Sequence, residues 1–222
     1  MVKLFNRKQM TELIKMIAVI DYGAGNIRSV YKALKHIGCE CVITRDKNEI
    51  LNADGAVLPG VGSFGDTMDT MKSYGIKDTV IEYINSGKPF LGICLGLQLL
   101  FPESEESPNV KGLSVFDGTI TKIPSGEGLK IPHIGWNSLK INKKSRLFKG
   151  VEQNAYVYFV HSYFLNASDR SIVSAQTEYG VTIDAAVEKD NVFATQFHPE
   201  KSGETGLKIL RNFADIANGR KE

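Results

Sequence analysis

Two hydrophobic textures alternate through the first hundred residues. Short, nearly continuous apolar runs, such as Ile17-Ala18-Val19-Ile20 and Phe90-Leu91-Gly92-Ile93, give way to stretches whose apolar residues fall three or four apart. The runs predict buried strands and the spaced stretches predict amphipathic helices. A first strand over 17–21 leads into a helix carrying Ile27, Val30, Leu34 and Ile37 on one stripe, with Asn26 as its N-cap and Gly38 as its stop. Strands follow over 39–44 and 55–58. Two helices fit between 65 and 85, broken near Gly75. A fourth strand runs into Cys94, and the apolar segment after it, through Phe101, has helical spacing. This order predicts an α/β fold with a mainly parallel central sheet flanked by helices.

Beyond Pro102 the pattern shortens. Strands are predicted over 114–123, 135–141, 155–165, 171–176 and 182–187, reading as antiparallel strands added to the sheet. One more, over 192–197, ends in His198-Pro199-Glu200. An amphipathic helix starting near Ser202 carries Leu207, Leu210, Phe213 and Ile216.

Composition narrows the class without choosing a chemistry. The 222 residues are 42% hydrophobic and 23% charged, which suits one ordinary globular domain. A formal net charge of +2 gives no reason to expect nucleic acid or an anionic membrane as partner. No apolar run has the length of a membrane span. Residues 1–15 are polar and basic without an export-type apolar core. They read as an N-terminal extension ahead of a domain over 16–222, and the expected location is the cytoplasm. Three cysteines argue against a disulfide framework, and Cys39-Glu40-Cys41, with no second pair nearby, reads as structural rather than metal-binding. The basic run Lys140, Lys143, Lys144, Arg146 and Lys149 reads as a solvated face. Gly23-Ala24-Gly25 lacks the third glycine of a dinucleotide fingerprint, since Arg28 stands there.

The chemistry centres on Gly92-Ile93-Cys94-Leu95-Gly96 at a predicted strand-to-helix junction. A cysteine between glycines in that setting is the thiol form of a nucleophile elbow, where side chains two positions away would collide. A helix N-terminus there would favour thiolate. A thiol nucleophile needs a base, a group to orient it and an oxyanion site. His198 is the candidate base. Glu200, two residues on in extended backbone, shares its face and can orient it. The candidate oxyanion donors are the N–H of Leu95 and one from Gly60-Val61-Gly62, where glycine permits a peptide flip. Gln98, one helical turn after Cys94, can bind a polar substrate group.

With Gln98 following the elbow and His198-Pro199-Glu200 near the C-terminus, the chain resembles the class I (triad) glutamine amidotransferases. Asp21-Tyr22-Gly23-Ala24-Gly25-Asn26, Pro59-Gly60-Val61-Gly62-Ser63-Phe64, Pro132-His133-Ile134-Gly135-Trp136-Asn137 and Tyr158-Phe159-Val160-His161-Ser162-Tyr163 are similar to the glutaminase subunits of imidazole glycerol phosphate synthase. The resemblance implies a flavodoxin-like core, a Cys94–His198–Glu200 triad, and Gln98 with His161, Ser162 and Tyr163 as the groups that hold glutamine. It implies ammonia delivered to a separate (β/α)8 cyclase subunit in a heterodimer, with 132–137 near the interface, and no metal or organic cofactor. The alternatives are a glutaminase of another pathway, another cysteine-elbow hydrolase, and a non-catalytic binding module.

Overall fold

A computed structural model describes residues 15–23, 26–126, 128–142 and 144–219. The predicted extension, apart from Lys15, lies outside the described residues, as do Ala24, Gly25 and Lys143. The strands are β1 Met16–Ile20, β2 Glu40–Thr44, β3 Gly55–Gly60, β4 Phe90–Cys94, β5 Glu103–Ser104, β6 Gly118–Lys122, β7 His133–Ser138, β8 Lys140–Ile141, β9 Tyr156–His161, β10 Tyr163–Ala167, β11 Val173–Glu178, β12 Thr182–Lys189 and β13 Val192–Thr195. The helices are α1 Ile27–His36, α2 Lys47–Asn52, α3 Phe64–Ser73, α4 Ile76–Asn85, α5 Leu95–Gln98 and α6 Gly203–Ala217.

The parallel core runs β2-β1-β3-β4-β13 and continues through antiparallel β12, β10 and β6 to a short edge. Alternate residues of the core strands feed two apolar layers. Ala18, Ile20, Ala56, Leu58 and Phe90 pack with Ile50, Met68, Met71 and Val80 of α2, α3 and α4. Ile17, Val19, Val57, Leu91 and Ile93 pack with Val30 and Leu34 of α1 and Leu210 and Phe213 of α6. Burying each such side chain is worth roughly 2 kcal/mol, so strands apolar on both faces belong in the middle of three layers. No helix among the described residues is long and apolar enough to cross a membrane.

Four local readings change. α2 was not expected; Asp46 caps it by accepting from Glu49 N at 2.9 Å, a signal present in the sequence but too short to show periodicity. The helix after Cys94 is one turn rather than two, so a macrodipole has too few peptides to act and the elbow relies on individual N–H groups. The strand expected over 155–165 breaks at Ser162. β9 pairs with β7 in a separate two-stranded sheet, while β10 joins the main sheet beside β6 and β12, so not every later strand is added to that sheet. The basic run is not wholly a solvated face either: Arg146 pairs with Glu188 at 2.8 Å and lies over the Phe193 ring, although Lys140 and Lys144 are exposed.

Candidate active site

Parallel strands present their C-terminal ends together, and the site forms there. In register, Gly60 of β3 stands beside Cys94 of β4, and Thr195 of β13 beside Ile93. Each of these strands therefore hands its following residues to one place. Cys94 has φ +56° and ψ −106°, a strained conformation for a non-glycine residue that tilts its side chain out of the strand end. The flanking glycines make the turn sterically feasible: a Cβ on Gly92 would lie 2.5 Å from the Gly96 carbonyl oxygen.

His198 and Glu200 lie just past β13, their side chains essentially inaccessible, with His198 Nδ1 and Glu200 Oε1 2.7 Å apart. The expected contact is present, but not for the expected reason. Pro199–Lys201 forms a 3-10 turn rather than extended backbone, and that turn folds Glu200 back under the ring. His198 O accepts from Ser202 Oγ at 2.6 Å, and His198 N donates to Tyr158 O at 3.0 Å, so the ring is held from both sides of its own backbone. Burial pushes the imidazole toward neutrality, but Cys94 and Glu200 together outweigh it and raise its pKa to about 9. With Nδ1 committed to Glu200, Nε2 is the ring nitrogen left for proton transfer.

Asn26 was expected as a helix cap and makes no side-chain capping bond; its backbone is left-handed, with φ 72°. Its Nδ2 instead donates to Glu200 Oε1, fixing the carboxylate that fixes the histidine. Sequence periodicity could not find this role, because 174 residues separate the two partners.

A cavity of about 270 Å³ opens over Cys94 and is lined by Val61, Gly62, Leu95, Gln98, Glu106, Pro132, Val160, His161, Ser162, Tyr163 and His198. A larger groove, about 1010 Å³, lies around Pro89, Arg146, Lys208 and Asn212 and shares none of these residues. Pro89 and Asn191 precede β4 and β13, so that groove sits at the opposite end of the strands. Of the predicted oxyanion residues, Leu95, Val61 and Gly62 line this cavity and Gly60 stands beside Cys94 in strand register; Gln98 and the 161–163 segment line the cavity too. Gly60 is packed more tightly than a turn glycine need be: a Cβ there would meet Leu95 Cβ at 2.7 Å and Gly96 N at 2.8 Å.

The polar groups of the pocket have definite orientations. Gln98 Nε2 donates to Tyr163 O at 3.0 Å and to Gln196 Oε1 at 3.1 Å, which leaves its Oε1 as an acceptor. His161 Nδ1 can only donate to Tyr163 O, at 2.9 Å, so its Nε2 accepts from His133 Nδ1 at 3.1 Å. Both ring nitrogens of His161 are therefore used internally. Burial lowers the His161 pKa to about 3, with the Tyr163 carbonyl opposing and His133 and His198 adding to the fall; burial lowers that of His133 to about 4.

These two histidines predict an acid sensitivity with a defined window. Their folded pKa values lie below the ordinary 6.5, so the unfolded chain binds more protons and stability falls as pH drops from about 6.5 through 4. His198 has the opposite sign: its contribution is complete below 6.5 and is lost as pH rises through 9. The thermal midpoint of His133→Phe, which keeps the ring stacked between Phe159 and Tyr179, will fall less between pH 6.5 and 4 than that of the unsubstituted chain. Parallel curves for the two proteins would remove His133 from the account.

Cys39 and Cys41 are not joined in a disulfide, and Cys41 is buried among apolar side chains of the α1–α6 layer. Among the described residues no group of three or more His, Cys, Asp or Glu is arranged to hold a metal ion.

Comparison with known proteins adds to this geometry. Residues 18–217 match the family model described as glutamine amidotransferase class-I. The imidazole glycerol phosphate synthase subunit HisH of Caldanaerobacter subterraneus subsp. tengcongensis is 52% identical over 201 residues, covering 90% of this chain and 98% of that protein. The subunit of the same name from Methanothermobacter thermautotrophicus gives the same identity and coverage. Among solved structures, one described as a glutamine amidotransferase aligns with a TM-score of 0.72 at 22% identity, covering 90% of this chain and 98% of that one. PurLQS from Thermotoga maritima aligns with a TM-score of 0.70 at 23% identity and the same coverage.

Proposed function

The chain belongs to the class I glutamine amidotransferases, in the group of HisH subunits of imidazole glycerol phosphate synthase, and on that premise we propose that it hydrolyses glutamine at the Cys94 pocket and passes the ammonia to a (β/α)8 cyclase subunit. The observation that carries the reading is the buried His198–Glu200 pair at 2.7 Å beside a cysteine held at positive φ.

Cys94 Sγ, as thiolate, attacks the side-chain amide carbon of glutamine. The N–H of Leu95 and one from Gly60-Val61-Gly62 take the oxyanion. Protonated His198, through Nε2, gives a proton to the leaving nitrogen, so ammonia departs and a glutamyl thioester remains. The neutral imidazole then takes a proton from water, which attacks the thioester and releases glutamate and the thiolate. Glu200 steadies the imidazolium in both steps, and Asn26 steadies Glu200. The orientation of Gln98 decides its part: with both amide hydrogens donated inward, Oε1 accepts from the substrate α-ammonium. The His161 ring is spent on its internal bonds, so the 162–163 backbone is what remains there for the α-carboxylate.

The β7–β9 ribbon connects this chemistry to a partner. Its inner face carries His133, Val157, Phe159 and His161, all buried. Its outer face carries Ile134, Trp136 and Tyr156, each more than half exposed, the kind of apolar patch that docks another protein. A cyclase seated there would rest on β9, whose Val160 and His161 line the glutaminase pocket, and ammonia kept from bulk water stays unprotonated and nucleophilic. Products on the cyclase side are imidazole glycerol phosphate and the aminoimidazole carboxamide ribonucleotide.

The test is glutamate release by the chain alone, with the barrel subunit, and with the barrel subunit plus its nucleotide ligand. The expected result is a rate that rises sharply only in the third mixture. Absence of release in that mixture would overturn the proposal, and hydrolysis of an unrelated amide or ester by the chain alone would favour another cysteine-elbow hydrolase.

A further inference from the structure

The mechanism above leaves one buried polar side chain at the sulfur without a role. Gln196 is wholly inaccessible, and its Nε2 lies 3.7 Å from Cys94 Sγ. A second polar atom near the sulfur is the Val160 carbonyl oxygen, at 3.9 Å. The two differ in what they can do. A carbonyl only accepts, so Val160 O suits the thiol. An amide nitrogen only donates, so Gln196 Nε2 suits sulfur that carries negative charge.

An isolated glutamine could present either end to the sulfur. Here the choice is made by a chain of bonds that starts at a backbone carbonyl. Tyr163 O is an acceptor, so the atom of Gln98 facing it, at 3.0 Å, is Nε2. The second hydrogen of that same nitrogen goes to Gln196 at 3.1 Å, so the atom of Gln196 facing Gln98 is Oε1. The other end of Gln196, the NH2 group, then faces Cys94. Reversing Gln196 would set two NH2 groups against each other in a site with no solvent to relieve them, at a cost of the order of a lost buried hydrogen bond. Polarity is thus passed from β10 through α5 to the residue before Phe197, and it ends as a donor aimed at the nucleophile.

We propose that Gln196 is a further catalytic residue, an N–H donor to Cys94 Sγ that stabilises the sulfur whenever it is anionic, with Gln98 as the positioning residue that orients it. The inference rests on Cys94 being the nucleophile of the glutaminase. Sulfur is anionic twice in the cycle: before it attacks the amide carbon, and again when water has added to the thioester and the carbon–sulfur bond breaks with its electron pair returning to sulfur. A donor fixed at Sγ assists that second departure and holds the sulfur at the mouth of the pocket for the next turnover.

The test uses Gln196→Met and Gln196→Glu in the full chain, each assembled with the barrel subunit and its ligand for steady-state kinetics. Met matches the volume and cannot donate. Glu keeps an acceptor for Gln98 and turns an oxygen toward the sulfur. The expected order of kcat is unsubstituted, then Met, then Glu, with Met lower by about tenfold or more and KM changed less than threefold. Alkylation by iodoacetamide, read on the peptide bearing Cys94 because Cys39 and Cys41 are also thiols, will slow in the same order. A purely packing role predicts Glu above Met, both below the unsubstituted protein, since Glu preserves the bond to Gln98 that Met loses. Thermal melting of each variant accompanies the rates, and Glu alone carries the test if Met does not fold. If both variants keep kcat and alkylation within twofold, or if Glu equals or exceeds Met, the proposal is overturned. Glutamate release absent from the unsubstituted complex is a different failure, that of the glutaminase reading itself.

Discussion

Cys94→Ala will lower glutamate release in the complete, ligand-bound complex by about 10⁴-fold or more, to the rate supplied by binding and the oxyanion donors alone. The loss is that large because the remaining members have no independent use. His198 reaches a pKa of about 9 through Cys94 and Glu200 acting against burial, so the thiolate is part of what charges the acid that protonates the leaving nitrogen. Removing the sulfur removes the nucleophile and much of that charge together. Ser162 lines the same cavity, but it stands on the β9–β10 segment rather than on the elbow. The measurement is glutamate produced per active complex, with far-ultraviolet dichroism and the melting curve as controls, since deleting one sulfur atom at the pocket wall leaves the core intact. Retention of more than a tenth of the rate would rule Cys94 out as the nucleophile.

Gly96→Ala will damage fold and activity at once. Its added methyl would stand 2.1 Å from the Leu58 carbonyl oxygen and 3.2 Å from the carbonyl carbon, and both are backbone atoms of β3 that cannot rotate aside. To make room, α5 must lift from the sheet. Overpacking of this kind costs about 3 kcal/mol, which for a domain of this length lowers the melting temperature by roughly 6–12 °C. The same displacement moves Leu95 N–H and Gln98 relative to Cys94, and a shift near 1 Å in a reacting constellation costs about a hundredfold in rate. Gly62→Ala is the internal comparison. Its φ is +105° but its Cβ would meet nothing within 4 Å, so its cost is confined to backbone strain of about 1–3 kcal/mol. Differential scanning calorimetry with kcat/KM below the transition distinguishes the two. A Gly96→Ala protein melting within 2 °C of the original, with its rate unchanged, would refute the steric account.

Legibility followed the range of the interaction. α3 and α4 were readable to within a residue or two, because an amphipathic stripe and the break at Gly75 are written inside the segments themselves. The elbow was readable because its glycines sit two positions from the cysteine they serve. α2 escaped because six residues show no period. The division of 155–165 into β9 and β10 escaped because strand periodicity runs unbroken through Ser162, and only the choice of two different partners breaks it. Gln196 carried a faint signal, sharing alternate position with His198 in Thr195-Gln196-Phe197-His198, but a polar residue in a strand says nothing of whom it faces.

By itself, then, the sequence determined the α/β alternation, the thiol at a strand end, and His198 with Glu200 as the candidate pair to serve it, since each of these features rests on residues within one turn or one strand of each other. Tertiary structure decided the rest. Asn26 reaches Glu200 across 174 positions, and Gln98 reaches Gln196 across 98. Such contacts are set by which strands lie side by side and in what register, a choice made by burying two apolar layers at once rather than by any local pattern. The direction in which each buried amide points follows last of all, because a hydrogen bond acquires its sense only when the neighbour at its other end is in place.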